Sequence, residues 1–456
     1  MKKEMFGHEI TLLRDTFRRL LHRKANTNLV RLLKKTHPAD VAVIYRFFTE
    51  IEQNYLFNLM SDNEYASEFL SELDDSILED LLEDIVPERL VPIIRVASSD
   101  DQTTILNALP EDKSKLIIDS LHADEQEEIE EMLAYPEDSA GSMMSRDVFT
   151  LKEDLTAGEA IKDLQNQEDA EMVFYLYVTN KENQLVGVIS LRDLATTPSS
   201  TKLKDIMIRN VQYVRAETDQ EEVAKIVSHY NLLAVPVVDS NDEILGIVTV
   251  DDVVDVIREE ATEDFLQMAG AGKDREILLK STWGNARARL PWLFATWIGG
   301  IVTMSIIGYF DNMLQSLVLL AAFIPIVAGM GGNVATQSSS IVVRGIATGR
   351  IDIGKDLQLI LKELSVGLIL GALYGLLLGT LIFIFFKDVP IIFGVVVGLS
   401  ICASMVIAAS IGTTVPLLLR KLDIDPAIAS GPFVTTTTDI VGISAYFLIA
   451  SALLPM

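Results

Sequence analysis

The chain has 456 residues and a formal net charge of −27, from 65 acidic and 38 basic residues, yet 49% of it is hydrophobic and its mean hydropathy is +0.30. A length of this order accommodates roughly two to four domains. The two bulk properties separate at Lys280: residues 281–456 hold 9 Lys/Arg and 8 Asp/Glu, whereas residues 1–280 hold 29 and 57, a net of −28. The acid lies in the front part and the apolar excess in the rear. So acidic a region excludes nucleic-acid binding through a basic patch, because phosphate contacts need clustered Lys and Arg. A single cysteine, Cys402, excludes a disulfide scaffold. Residues 1–28 are amphipathic and highly charged, unlike a signal peptide, which predicts a cytosolic front part. Crowded carboxylates repel one another. A solvated acidic surface accounts for them, and so does a protein that needs divalent cations to close up.

In chain order, residues 1–135 read as an acidic all-helical domain. Turn or cap signals recur near twelve-residue spacing at Pro87-Glu88, Ser98–Asp101, Pro110–Asp112 and Ala123–Glu125, with short apolar-periodic segments between them. Short helices stacked in this way form a superhelix in which each buries one face on its neighbours. Residues 137–257 contain an internal repeat. Val186-Gly187-Val-Ile-Ser190-Leu-Arg-Asp193 overlays Leu245-Gly246-Ile-Val-Thr249-Val-Asp251-Asp252 with an offset of 59 residues in both the Gly and the Asp. Each copy reads as a strand ending in a hydroxyl residue, with an Asp opening a helix three positions on. Seven carboxylates against one Arg then occupy residues 251–264. In helical phase Asp252, Asp255 and Glu259 share one face, and Glu260, Glu263 and Asp264 another. Like charges at this spacing destabilise a helix. An exposed helix in salt is one explanation, and divalent cations bridging it to another acidic surface is the other. Residues 265–282 read as a connecting segment, with a helix beginning near Asp274.

Five apolar stretches follow, at about residues 290–310, 317–343, 364–386, 391–415 and 427–454, each long enough to cross about 30 Å of hydrocarbon. Arg287, Arg289, Arg344, Arg350, Lys355, Lys362, Arg420 and Lys421 fall on one side of the bilayer so defined, and only Lys387 on the other. The excess of Lys and Arg predicts a cytoplasmic N-terminus and an extracytoplasmic C-terminus. The second stretch reads as irregular, with Pro325, Gly329, Gly331 and Gly332 followed by Asn333, Thr336, Gln337 and three serines. Polar or broken backbone at membrane depth lines a watery cavity or is buried in protein; close packing through small residues is the competing explanation. Asp439, in Thr435-Thr-Thr-Thr-Asp439, is the one ionisable carboxylate between residues 427 and 456, near the middle of that stretch, and no Lys, Arg or His lies in any stretch to pair with it. It is either protonated or faces a cation pathway. Thr435 and Thr436 share its helix face. One carboxylate among hydroxyls suits hydrated Mg2+, and no His/Cys cluster for zinc or copper is present.

The paired Gly-x-x-Ser/Thr-x-x-Asp copies resemble a tandem pair of CBS (cystathionine-β-synthase-type) modules. That resemblance implies a regulatory sensor in which Ser190, Asp193, Thr249 and Asp252 contact ATP or another adenine nucleotide. The whole order resembles the bacterial MgtE family of magnesium channels, together with the segments Pro136–Met143, Gly331-Gly-Asn333-Val-Ala-Thr-Gln337 and Asp425–Asp439. The implied fold is multidomain: an all-α superhelical N-terminal domain (1–135), an α/β tandem CBS pair (136–200 and 201–258), an acidic connecting or plug helix (259–282) and a five-helix α transmembrane domain (283–456). The family resemblance implies a homodimer in the bacterial cell membrane. Its pore is lined by the second and fifth spans, here through Gly331, Gly332, Asn333, Gln337, Thr435 and Thr436, and Asp439 coordinates hydrated Mg2+. It also implies closure by cytosolic Mg2+ at Asp252, Asp255, Glu260, Glu263 and Asp264, with Glu221, Asp425, Asp100 and Asp101 as further ligands. One departure is Asn231, where many relatives have Asp. An ion-coupled secondary divalent-cation transporter regulated by nucleotide, or a membrane-anchored sensing scaffold, are the alternatives. No nucleophile–base pair is visible, so an enzyme is not expected.

Overall fold

The computed structural model describes all residues except 1, 167–173, 273–276, 278–281, 352–353, 355, 388, 423, 430 and 455–456; Lys355 and the helix start expected near Asp274 lie outside the described residues. The chain divides into two compact units, residues 1–258 and 259–456.

The first unit opens with ten helices among the described residues: α1 (Lys2–His22), α2 (Asn26–Leu33), α3 (Pro38–Tyr45), α4 (Glu50–Phe57), α5 (Asn63–Ser71), α6 (Asp75–Asp84), α7 (Pro87–Ile94), α8 (Ser99–Asn107), α9 (Glu111–Ile118) and α10 (Ala123–Leu133). From α3 onward the starts recur every twelve or thirteen residues, so the period legible at residues 87–123 extends back to Pro38. Such short helices are marginal alone. They are stabilised by burial: α3 packs on α5, α5 on α7, α7 on α9 and α4 on α6, and one continuous apolar core runs from Phe17 to Ile129. Polar side chains bond to neighbouring helices along the stack, as where the Tyr65 hydroxyl donates to the Thr36 carbonyl at 2.9 Å.

Two three-stranded sheets follow. β1 (Thr150–Lys152), β2 (Tyr175–Thr179) and β3 (Leu185–Ser190) form one, with α11 (Ala157–Gln165) and α12 (Leu191–Thr196). After α13 (Leu203–Ile206), β4 (Val214–Arg215), β5 (Ala234–Val238) and β6 (Ile244–Thr249) form the other, with α14 (Gln220–Tyr230). In each sheet the first pair is parallel and the second antiparallel, so the 59-residue repeat is a repeat of structure. The modules exchange their leading segments. Ser145 pairs with Ile247 through two 2.8 Å backbone bonds, and Ile208 with Val188 through two of 3.0 Å. This explains the motif glycines. A Cβ at Gly246 would lie 2.4 Å from the Ser145 carbonyl oxygen, and one at Gly187 2.5 Å from the Met207 sulfur. The repeat ends in α15 (Val250–Met268), which carries the acidic run; residues 259–268 therefore continue the helix that follows the second module.

Among the described residues of the second unit, five helices are long and apolar enough to cross a membrane: α16 (Thr282–Tyr309), α18 (Leu319–Ala347), α19 (Asp356–Phe385), α20 (Ile391–Lys421) and α21 (Gly431–Leu453). A short α17 (Asp311–Ser316) joins the first two, and a 3-10 turn at Pro426–Ala429 precedes the last. α20 is the hub, packed by α18, α19 and α21. The interruption expected in the second stretch is absent, since α18 is continuous through Pro325 and Gly329–Gly332. Pro325 is only the seventh residue of the helix, so its missing N–H removes one bond near the start, which membrane helices tolerate. The glycines serve contact instead. A Cβ at Gly331 would lie 2.6 Å from Ser404 Oγ.

Candidate functional site

Asp439 is the ninth residue of α21, about 12 Å along a helix about 34 Å long. It thus lies a third of the way in, because α21 begins only after the 3-10 turn. Its neighbours among the four threonines diverge. Thr435 Oγ1 donates to the Gly431 carbonyl at 3.1 Å, and its methyl approaches Gly332 of α18. The Thr436 methyl fills the gap left by Gly299 of α16, and Thr436 Oγ1 is buried with no hydrogen-bond partner. Thr437 Oγ1 donates to its own helix at 2.9 Å, and Thr438 is buried beside Gly331. A cavity of about 320 Å³ opens between α16 and α21, lined by Thr296, Gly299, Gly300, Thr303, Thr436 and Asp439 among others. Among the described residues no cation pairs with Asp439. The arrangement sets the Asp439 carboxylate beside a space lined by three threonines together with glycine and apolar side chains; the Thr436 hydroxyl is buried and the Thr296 hydroxyl donates to the Trp292 carbonyl at 3.1 Å. Thr296 and Thr303 were not legible as part of it, since α16 carries no motif.

The residues of α18 sort by face. Gly331 is buried against α20 and α21, which makes it a packing residue and not a lining one within this chain. Gly332 is half-buried. Gly329, Asn333 and Gln337 lie one turn apart on the exposed face. Buried polar bonds hold this face in place: Tyr446 Oη of α21 donates to the Leu320 carbonyl at 2.8 Å, and Ser404 Oγ of α20 to the Val327 carbonyl at 3.3 Å.

At the N-terminal end of α21, the backbone of α15 comes very close. A Cβ at Gly431 would lie 2.4 Å from the Met268 carbonyl oxygen, and one at Gly270 would lie 2.6 Å from the Pro432 ring. Gly270 and Gly272 both have positive φ, +70° and +97°, conformations that favour glycine, so the chain turns sharply where the acidic helix ends. Of the carboxylates on this part of α15, Glu263 accepts from Gln267 Nε2 at 2.8 Å; Glu260 and Asp264 are half-buried. Asp425 is occupied as a turn cap, its Oδ1 accepting from the Ala427 N–H at 2.8 Å.

In the first unit the structure brings together acids that are far apart in sequence. Asp100 lies in the first turn of α8, whose buried Ser99 accepts from the Arg146 N–H through Oγ at 2.7 Å. Arg146 also pairs with Glu128 and Glu131 of α10 at 3.3 and 2.8 Å, fastening the helical stack to the CBS pair. Asp100 Oδ1 is buried with no hydrogen-bond partner. Burial pushes the Asp100 carboxyl up, and the charge of Asp251 adds to this. Asp252 is pushed up to about 7, first by burial and then by the charges of Asp100 and Asp251, against the Thr249 hydrogen bond that opposes the shift. One turn further along α15, the exposed Asp255 pairs with Arg258 at 4.0 Å, and its charge reaches Glu72, which follows α5. The Glu72 carboxyl is pushed up by desolvation and next by the Asp255 charge. Like-charge coupling therefore links Asp100 with Asp252 and Glu72 with Asp255. Among the described residues no three such ligands converge at metal-binding spacing. Asp101 is half-buried in the same turn of α8. Glu221 is elsewhere, engaged by Lys225 at 2.9 Å. Asn231 caps α14 in the left-handed conformation, φ 52°, which Asn tolerates well; backbone geometry accounts for its presence. Glu72 carried no sequence signal.

The Ser190 hydroxyl donates to Asp193 Oδ2 at 2.7 Å and accepts from the Asp193 N–H at 3.0 Å. Thr249 Oγ1 donates to Asp252 Oδ2 at 2.6 Å. In both modules the motif residues cap the following helix.

The five long apolar helices, with the family matches that follow, make this a multi-pass membrane protein of the divalent-cation transporter class, joined to an acidic unit that carries a CBS pair. The family model described as a divalent cation transporter, MgtE, matches residues 324–449, the MgtE intracellular N domain matches 36–138, and CBS domains match 140–199 and 203–259. The chain is 35% identical over 423 residues to the magnesium transporter MgtE of Bacillus subtilis (strain 168), covering 92% of this chain and 93% of that one. It is 34% identical over 434 residues to the magnesium transporter MgtE of Thermus thermophilus, covering 93% and 95%. The solved cytosolic domain of the Mg2+ channel MgtE in complex with ATP aligns with a TM-score of 0.51 at 33% identity, covering 53% of this chain and 99% of that one. The chain belongs to the MgtE family.

Proposed function

We propose that the chain is a Mg2+-selective channel for magnesium uptake across the bacterial cell membrane. It works as a homodimer with the N-terminus in the cytoplasm and the C-terminus outside, and cytosolic Mg2+ holds it shut. The observation that carries this is the placement of Asp439, a carboxylate without a cationic partner among the described residues, beside a cavity between two membrane helices. A charge inside a membrane helix is costly, about 2.5–3.5 kcal/mol on insertion scales when at the helix centre, and marks an ion path. The exposed Gly329–Asn333–Gln337 face of α18 supports the homodimer, since a second copy would shield amides that lipid cannot solvate. Ions enter down the membrane potential, worth roughly 2.3 kcal/mol per charge per 100 mV.

Closure follows from the coupled carboxylates. At low internal Mg2+, Asp100 and Asp252, and Glu72 and Asp255, repel. As Mg2+ rises it binds between them and favours the arrangement that keeps them close, by differential affinity for the two states. Glu260, Glu263 and Asp264 act likewise on α15, whose C-terminal end is seated against Gly431 and Pro432 of the helix bearing Asp439. Asp101, Glu221 and Asp425 are further candidate ligands by the family resemblance. ATP at the CBS pair is supported by the ATP-bound relative, with Ser190, Asp193 and Thr249 at the contact positions.

Flux of Mg2+ into proteoliposomes without a proton or Na+ gradient tests the channel. Flux should occur, and Asp439→Ala should abolish it while the protein elutes unchanged. A strict requirement for either gradient would favour the ion-coupled transporter, and normal flux in Asp439→Ala would remove Asp439 from the path.

A further inference from the structure

Glu363 falls one residue outside the apolar stretch expected for the third span, but it lies inside α19 and is only 7% exposed. It heads the buried stripe of that helix, where every following position down to Gly375 is a glycine: Gly367, Gly371 and Gly375. Those glycines press α19 onto α20, as a Cβ at Gly367 would lie 2.8 Å from the Ala409 methyl and one at Gly371 2.8 Å from the Cys402 Cα. At the head of the stripe the side chain is instead long and acidic. Ser338 Oγ of α18, itself 4% exposed, donates to Glu363 Oε2 at 3.0 Å. Among the described residues no Lys, Arg or His pairs with Glu363. A buried carboxylate held by one hydroxyl is costly, and nothing in the stability of the α19–α20 contact needs it.

What the bond does fix is α18. Ser338 follows Gln337 directly and stands five residues after Asn333, so its azimuth, at 100° per residue, sets theirs. The backbones of α18 and α20 touch nearby, a Cβ at Gly412 falling 2.4 Å from the Ala335 carbonyl oxygen; α18 thus has a fulcrum on α20 and a tether on α19. We infer that Glu363 is a positioning residue for ion passage, holding α18 through Ser338 in the rotation that presents Asn333 and Gln337 to the path. This rests on the proposal that α18 lines the path.

The test uses the full chain in liposomes with Cys402→Ala and Asn333→Cys, labelled by a charged methanethiosulfonate reagent, alongside Mg2+ uptake. Glu363→Ala and Ser338→Ala should each change the labelling rate about tenfold and lower uptake, as expected for loss of a buried bond to a charged group. Together they should do no more than either alone, because they break one interaction. Glu363→Gln should retain the parent rate, since its amide oxygen still accepts from Ser338. Ser338→Ala, the smaller change, carries the test if Glu363→Ala fails to fold. Parent-like labelling in Ser338→Ala, or Glu363→Gln behaving as the alanine variant does, overturns the inference alone. Absence of labelling in the parent overturns the lining role of α18 and this inference with it.

Discussion

Asp252 has three neighbours that matter, Thr249, Asp251 and Asp100, and only the first two are near it in sequence. Its folded value of about 7 lies above the ordinary 3.8, so between those limits the folded chain binds a proton that the unfolded chain releases. Stability from this group is fully present below about pH 4 and is lost as pH rises through 7. The metal-free full chain should accordingly melt at a lower temperature at pH 8 than at pH 5, by an amount on the order of a few degrees. Asp252→Asn should flatten that part of the profile, and Mg2+ at pH 8 should restore the melting temperature of the parent more than that of the variant. An identical slope in the variant would detach Asp252 from the effect. Asp439 and Asp252 were legible because their surroundings are unusual for carboxylates: an apolar stretch in one case, a crowded acidic helix in the other. Asp100 became specific only through the fold, which buries its Oδ1 and couples its charge to that of Asp252.

At the scale of elements, periodicity carried most of the information. The twelve-residue spacing, the 59-residue offset and the five apolar stretches correspond to α7–α10, the two sheets and the five long helices. The exchange of leading segments between the modules was not legible, because a bridge such as Ser145–Ile247 spans more than 100 residues and leaves no local trace except Gly246. Gly246→Val should therefore destabilise the first unit by about 1–3 kcal/mol through overpacking against a backbone oxygen that cannot yield. Limited proteolysis of the full chain should show faster cleavage between residues 136 and 150. Unchanged protection there would mean that the segment is held by other contacts. Gly187→Val should be milder, since the obstacle is the flexible Met207 side chain.

For the whole molecule the charge is less uniform than the division at Lys280 suggests. Residues 1–35, which include α1 and α2, hold 10 Lys/Arg and 3 Asp/Glu, so residues 36–280 alone carry 19 basic and 54 acidic groups. The excess of carboxylates is thus concentrated in residues 36–280. Millimolar Mg2+ applied to the cytosolic side of excised patches should therefore lower open probability, and Asp100→Asn with Asp252→Asn should shift that response, since they remove one coupled pair without touching Asp439. An unaltered response in the double variant would place the sensor elsewhere. If two copies meet along α18, Asn333→Cys in a Cys402→Ala background should also cross-link as a dimer with a short bifunctional reagent.

The sequence by itself determined what depends on local pattern and partition: an acidic front and an apolar rear, helices at a twelve-residue period, a doubled strand–helix motif, five spans and one carboxylate committed to the last of them. These follow from helix and strand periodicity and from the cost of charge in hydrocarbon. The tertiary structure alone decided which residues meet: Gly331 against Ser404, Thr436 against Gly299, Asp100 coupled to Asp252, and Glu363 bonded to Ser338. Periodicity specifies that a helix has a buried face but not which distant helix covers it, and these contacts depend on that choice of neighbour.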